Sequence, residues 1–299
     1  MRCNNGRWVA ATSGVLLPLA LVAAETTTEA PQALPLWELG IGAAAYSQPN
    51  YPGSDVRSTI AFPFPYVVYR GDRFRIDRSI QGILFETQRL KVDISAGGTS
   101  LVESDASDAR RGMPDLDPMI EVGPAVSLLL TDPGLPYSVW GKLAARTAYS
   151  VDTSNWDFTH QGWVGDARVR YQRPLIGERL RMSVELGTRF ADKDYTGYYY
   201  DVAAPFATPF RPAYDAGSGY AGSWLGLGLD GREGRWRWGV YGAYQNLNGT
   251  AFANSPLVES KNDFSVGVTL GWVFWQSERK VTPKNTSPGG ELETPLFGL

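Results

Sequence analysis

Residues 263–275 read Asp-Phe-Ser-Val-Gly-Val-Thr-Leu-Gly-Trp-Val-Phe-Trp. Phe264, Val266, Val268, Leu270, Trp272 and Phe274 alternate with Asp263, Ser265, Gly267, Thr269 and Gly271. A strand sends successive side chains to opposite faces, so one face is apolar and the other small and polar. Aromatics toward both ends of the apolar face suit a strand that meets lipid.

The pattern recurs through the chain. Trp37–Ala45 alternates about glycines, and Leu90, Val92 and Ile94 oppose Lys91 and Asp93. Val169 and Tyr171 oppose Arg168 and Arg170, Val184 and Leu186 oppose Glu185, and Trp236, Trp238 and Val240 oppose Arg235 and Arg237. Ile60, Phe62, Phe64, Tyr66 and Val68 form another apolar face. There Pro63 and Pro65 each remove a ladder donor, which marks an irregular or locally unpaired stretch. No convincing helix follows Leu36. Charged residues on the non-apolar face would meet solvent in a sandwich and a lumen in a barrel. Strands of about ten residues and alternating short and long connections favour the barrel. All long connections share one side only if residues 73–86 hold two short strands joined by a tight outer turn. The expectation is therefore an all-β, antiparallel transmembrane β-barrel of about twelve strands, with both termini periplasmic and the 263–275 strand pairing with the first.

The 299 residues are 20% charged, with a net charge of −3. There is no basic excess, so no nucleic-acid partner is expected. Arg2 and Arg7, the apolar stretch Trp8–Val22 and the small residues to Ala24 have the form of a secretory signal, with Sec export and cleavage near Ala24. Residues 25–35 read as a short periplasmic leader, 36–275 as the barrel and 276–299 as a flexible periplasmic tail. Cys3 is the only cysteine, so the mature chain would have no disulfide or thiolate chemistry.

Few motifs point to chemistry. Gly226-Leu-Gly-Leu-Asp-Gly231 matches G-x-G-x-x-G, but a strand pattern follows it where a dinucleotide site needs a helix. His160, the only histidine, lies near Ser150, Asp152, Ser154 and Asp157. A hydrolase would need these within reach of one another. The acidic loop with Glu103, Asp105, Asp108, Asp115 and Asp117 lacks a D-x-D-x-D-G arrangement. It reads as a solvated loop bridged by divalent ions to lipopolysaccharide. The 191–218 loop, with Tyr195, Tyr198, Tyr199, Tyr200 and Tyr214, is either a partner surface or a plug in the barrel mouth. Arg146, Arg168, Arg170, Arg179, Arg181, Arg189, Arg235 and Arg237 are expected inside. They would form an internal ion-pair ladder or the lining of an anion-tolerant pore. No catalytic, cofactor-binding or metal residue is assigned.

Several stretches resemble the MltA-interacting protein (MipA)/OmpV family of outer-membrane proteins. They are Tyr51-Pro-Gly-Ser-Asp55 with Arg57, Phe62-Pro-Phe-Pro-Tyr66 leading to Tyr69-Arg-Gly-Asp-Arg-Phe74, Asp194-Tyr-Thr-Gly-Tyr-Tyr-Tyr200, and Asn254-Ser-Pro-Leu-Val258. The resemblance implies an outer-membrane protein with no catalysis or cofactor of its own. It implies a scaffold that brings a lytic murein transglycosylase together with a bifunctional penicillin-binding protein, while the barrel itself is expected to contact outer-membrane lipid and lipopolysaccharide. Other members are treated as porin-like or adhesin-like, which leaves a small channel for anionic solutes as the alternative. Residues 276–299 extend past the point where such barrels often end, and Asn254 replaces an expected acidic residue.

Overall fold

The computed structural model describes residues 33–282, except Arg78 and Glu178. The expected signal segment, most of the expected leader and the expected tail beyond residue 282 lie outside the described residues. Two short strands, β1 (Leu34–Pro35) and β14 (Lys280–Val281), pair with each other. Between them run β2 (Trp37–Pro49), β3 (Arg57–Arg70), β4 (Phe74–Asp77), β5 (Ser79–Glu86), β6 (Leu90–Thr99), β7 (Met119–Leu129) and β8 (Ser138–Asp152). Then come β9 (Asp157–Ile176), β10 (Leu180–Ala191), β11 (Gly219–Glu233), β12 (Trp236–Asn246) and β13 (Asn262–Gln276). Strands β2 to β13 form one closed antiparallel barrel. Closure comes from β13 against β2, with Val266 opposite Ser47 and Gln276 opposite Glu38. Residues 73–86 form two strands, with Asp77 opposite Ser79, so the split required by the loop pattern is present.

Alternation explains the wall. Phe264, Val266, Val268, Leu270 and Trp272 are exposed on the outside, while Asp263, Ser265, Gly267, Gly271 and Val273 are buried inside. Leu143, Val169, Leu186 and Leu227 form the outer apolar band. Trp236, Trp272 and Trp275 ring the end near the chain termini, and Phe158, Trp163, Phe190 and Phe264 ring the other. Aromatic residues at both ends of an apolar band match two membrane interfaces. Short turns on the terminal side make that side periplasmic.

Strand β3 departs from the simple pattern. Directly opposed residues share a face, and β3 sets Phe62, Phe64, Tyr66 and Val68 opposite Ala44, Gly42, Gly40 and Glu38. That face of β2 is the luminal one, so this aromatic row points inward and not toward lipid. Its rings lie over residues with no side chain. A Cβ on Gly42 would come within 2.5 Å of Phe64 Cζ, and one on Gly271 within 2.9 Å of Tyr66 Cδ2.

The prolines mark an edge. The Arg70 amide donates to Leu36 O on the β2 side. By alternation, even-numbered β3 residues bond β2, and odd-numbered ones, Pro63 and Pro65 among them, point the other way. On that side β3 pairs with β4 only at Tyr69 and Arg70 among the described residues. Among the described residues the β5–β6 ladder likewise ends at Gly82 opposite Ile94, with no pairing of Ala96 or Gly98 toward β5. The short β4–β5 hairpin thus closes the periplasmic part of the wall and leaves a notch above it, between β3 and β6. The β3 edge of the notch, from Arg57 to Val68, is about 36 Å long at roughly 3.3 Å per residue.

Strands β7 and β8 keep one register from Val122 opposite Thr147 to Ala125 opposite Ala144, with the ladder interrupted at Gly123 and Pro124 between them. A Cβ at Gly123 would overlap the Ala145 carbonyl oxygen, which is backbone and cannot swing away. Gly123→Ala is expected to cost about 1–3 kcal/mol through overpacking. The measurement is the temperature at which the folded barrel loses its faster migration on SDS gels, with Gly242→Ala, whose Cβ would meet nothing nearer than Ser265 O at 3.7 Å, as the milder comparison.

Candidate functional site

The lumen holds two arrangements, a cap across the outer mouth and a charged cavity below it. The cap is built from the long connections. In the 191–218 loop a helix was not expected, but α1 (Lys193–Tyr200) forms there. Asp192 is its N-cap, accepting from the Tyr195 amide at 3.0 Å and the Trp163 amide at 2.9 Å. Gly162 lies beside that carboxylate with φ +96°. A side chain there would be strained and would strike Asp192. An aspartate ahead of a polar, aromatic turn was the available signal. Gly197 and the low apolar contrast of the segment masked it.

Tyr195, Tyr199 and Tyr200 are buried with Tyr51, Val102, Leu116, Leu247 and Phe252 in one apolar core. Tyr200 stacks on Phe252 with centroids 3.7 Å apart and donates to Pro52 O at 2.7 Å. Tyr51 donates to Leu257 O at 2.8 Å, and Ser255 to Tyr200 O at 2.8 Å. Burial pushes the Tyr51 and Tyr199 hydroxyls up to about 12, so both remain protonated donors. Three of the stretches that carry the family resemblance therefore meet in this cap, and the fourth forms the β3 edge. Of the two readings of the tyrosine-rich loop, the structure shows the plug.

The plug is fastened to the wall by ions. Tyr195 donates to Glu121 Oε1 at 2.8 Å. Arg146 contacts Glu121 at 3.1 Å and Asp166, and Arg189 contacts Asp166 at 2.8 Å. Lower down, Arg170 and Glu185 pair at 2.5 Å, and Trp224 Nε1 donates to Glu185 at 2.9 Å. At the periplasmic end Glu38 is fully buried and receives Arg70, Arg232 and Arg237 at 3.1, 2.5 and 3.1 Å. The ion-pair ladder is thus present. Arg179 and Arg235, expected inside, instead sit exposed in periplasmic turns, because the strands end one residue away. The Glu38 cluster was missed because its three arginines are remote in sequence.

Below the cap, a small luminal space is lined by Arg75, Lys91, Lys142, Arg168 and Arg170, with only Glu86 and Glu185 as carboxylates. Trp140 Nε1, Arg168 Nε and Ser127 Oγ are buried there and make no hydrogen bond within the described protein. Such a lining suits an anionic group.

The other candidates do not assemble. His160 lies exposed between the rings of Tyr149 and Trp163. Ser150 pairs with Thr159, which puts its side chain on the face opposite to His160. Asp152 instead caps its own turn at Ser154 N and Asn155 Nδ2. The acidic loop folds on itself, with Asp115 accepting from Ser104 N at 2.7 Å and Asp105 from Gly112 N at 3.2 Å. Among the described residues no group of three or more His, Cys, Asp or Glu could hold a metal ion. The glycine motif runs along β11, with Trp238 lying over Gly231.

A closed twelve-strand barrel with a lipid-facing belt defines an outer-membrane β-barrel protein. The chain belongs to the family described as MltA-interacting protein MipA, whose model matches residues 41–274. It is 30% identical to the putative outer membrane protein YiaT of Escherichia coli O157:H7 over 172 residues, 56% of this chain and 62% of that protein. It is 36% identical to outer membrane protein OmpV of Vibrio cholerae over 89 residues, 29% of this chain and 34% of that protein. The matched stretches thus span less than two thirds of these relatives. Among solved structures, the COG4313 outer membrane channel from Pseudomonas putida F1 aligns with TM-score 0.40 at 13% identity, over 82% of this chain and 98% of that one. The protein resides in the outer membrane and contacts lipid through its belt.

Two outcomes test the cap. Glu121→Ala leaves buried guanidinium groups undercompensated and is expected to cost about 3–5 kcal/mol. Tyr195→Phe removes one hydrogen bond to a charged group and should cost about 1.5–3 kcal/mol. The gel-shift temperature reads both, and limited proteolysis of residues 191–218 should quicken in the same order. The second concerns Glu259, whose carboxyl is raised by burial and by the neighbouring Asp55 carboxyl to about 7. The folded cap holds this proton more tightly than the unfolded chain. The resulting stability is full below the ordinary value of 4.5 and is lost as pH rises through about 7. Hydrogen-exchange protection of residues 247–260, corrected for intrinsic rates, should fall between about pH 6 and pH 8. In Glu259→Gln that step should vanish.

Proposed function

We propose that the chain is a non-catalytic interaction protein that links a murein transglycosylase to a peptidoglycan synthase at the outer membrane. The sealed outer mouth carries this reading, since a packed aromatic cap blocks the axial route an open porin needs. The family description, which names an MltA-interacting protein, supports it. The periplasmic side offers the surfaces: the short turns, the β1–β14 pair and the 276–299 tail, with the secretory signal removed near Ala24. A second reading, passage of small anions, is favoured by the five cations and two carboxylates around the luminal space.

In-cell photocrosslinking from Pro133, Arg235 and Lys280 is expected to recover a lytic transglycosylase or a penicillin-binding protein, and removal of residues 283–299 should reduce the yield severalfold. If crosslinking recovers neither enzyme, the scaffold reading is lost. Planar-bilayer recordings of the purified protein decide the second reading. No steps above background would remove it, and anion-selective steps abolished by Arg168→Glu would establish it.

A further inference from the structure

The notch is a break in a wall that otherwise pairs every strand. In hydrocarbon an unpaired backbone donor or acceptor costs several kcal/mol, so barrels close fully and open edges face protein or a cavity. Here the outward-pointing donors of β3 are thinned by Pro63 and Pro65, which have no N–H to leave unpaired. Opposite them Ala96 and Gly98 have little or no side chain to fill the opening. The edge is thus built to remain unpaired.

The notch leads to the apolar side of the lumen. Phe62, Phe64 and Tyr66 face inward yet are only half-buried, and Ile60, on the same face as Tyr46, is 37% exposed. At the top, a narrow crevice lined by Gln48, Thr99, Tyr199 and Gln245 lies beneath the cap, between the ends of β2 and β6. At the bottom, the β4–β5 hairpin that floors the notch also lines the cationic space through Arg75 and Glu86. An apolar row and a cationic site with buried, unpartnered donors thus adjoin one side opening, while the axial mouth is shut.

We propose that the notch between β3 and β6 is a lateral entrance for a single-chain anionic amphiphile, an alkyl chain bearing a carboxylate or phosphate head. The chain lies along Phe62, Phe64 and Tyr66, and the head reaches Arg168 Nε, Trp140 Nε1 and Ser127 Oγ. Lateral entry suits such a ligand because its chain never leaves hydrocarbon, whereas the axial route would pass it through water and the cap. The inference does not rest on the scaffold reading, which survives its failure. It shares the cationic space with the anion-passage reading, and a short anion separates the two.

Two experiments on the folded full-length protein test it, with gel-shift migration confirming the fold of each variant. In a Cys3→Ser background, a fluorophore is attached at Phe62→Cys or at Ser183→Cys, a luminal position on the continuous side of the wall. In bilayers of brominated lipid, the Phe62 site should be quenched and the Ser183 site should not. Equal protection of both would overturn lateral entry. In non-ionic detergent, oleate or lysophosphatidylglycerol should displace a dansylated fatty acid, the first pointing to free fatty acids and the second to membrane lipid as the source. Acetate and dodecyltrimethylammonium should not. Phe62→Ser with Phe64→Ser should weaken binding at least tenfold and Arg168→Gln at least fivefold, with lipid-facing Val67→Ser unchanged. Displacement by neither anionic amphiphile, equal displacement by acetate, or full binding in the inward variants would overturn the assignment.

Discussion

The constraint on which this structure rests is that a membrane offers the backbone no hydrogen-bond partners. Twelve antiparallel strands satisfy it by bonding around a ring, and the seam of β13 with β2 makes the ring continuous. Once closed, the wall fixes which side chains face inward, and a narrow barrel must fill its interior. The charges facing the lumen are then not optional decoration. Glu38, Glu121, Asp166 and Glu185 are nearly inaccessible, and each is met by guanidinium groups from neighbouring strands. Such pairs gain little over apolar packing, but losing one partner leaves a buried charge uncompensated. They therefore fix geometry more than they add stability.

The same logic places the cap. Long outer connections cannot pack against lipid, so they fold inward on one another and bury their tyrosines. Each hydroxyl then needs an acceptor, found at Pro52 O, Leu257 O and the Glu121 carboxylate. The last ties loop to wall, because Glu121 sits on β7 between two arginines. Cap and ion-pair ladder are in this sense one network, and the mouth cannot open without disturbing the charges below.

Much of this was legible in the residues. Alternation in 263–275 gave the orientation of β13 as far as Trp272, beyond which a register shift puts Trp275 and not Phe274 opposite Leu39 on the outer face, and the loop parity required the split of residues 73–86. The two prolines announced the unpaired edge. The sense of the β3 face did not follow from its composition. Phe62, Phe64 and Tyr66 resemble a lipid face, and only pairing with Gly42 and Ala44 shows that they point inward. Periodicity establishes two faces but not which of them meets lipid, when both are apolar. The cap helix and the three arginines around Glu38 were equally hidden, because each depends on contacts between residues far apart in sequence.

That failure is instructive about the lumen. A barrel interior filled by ion pairs on all sides would have made every inward face polar, and the alternation would have been read correctly throughout. The error fell on a strand whose inward face carries a row of aromatic rings, and that strand borders the notch. An aromatic inner face has no role in holding charges, and in a wall sealed all round it would need an apolar partner across the lumen. Beside an opening toward hydrocarbon, with its rings packed onto glycines of β2 and β13, its chemistry matches what lies outside. The apolar row, the two prolines and the shortened hairpin are three independent departures from a regular barrel, and all three border the same opening.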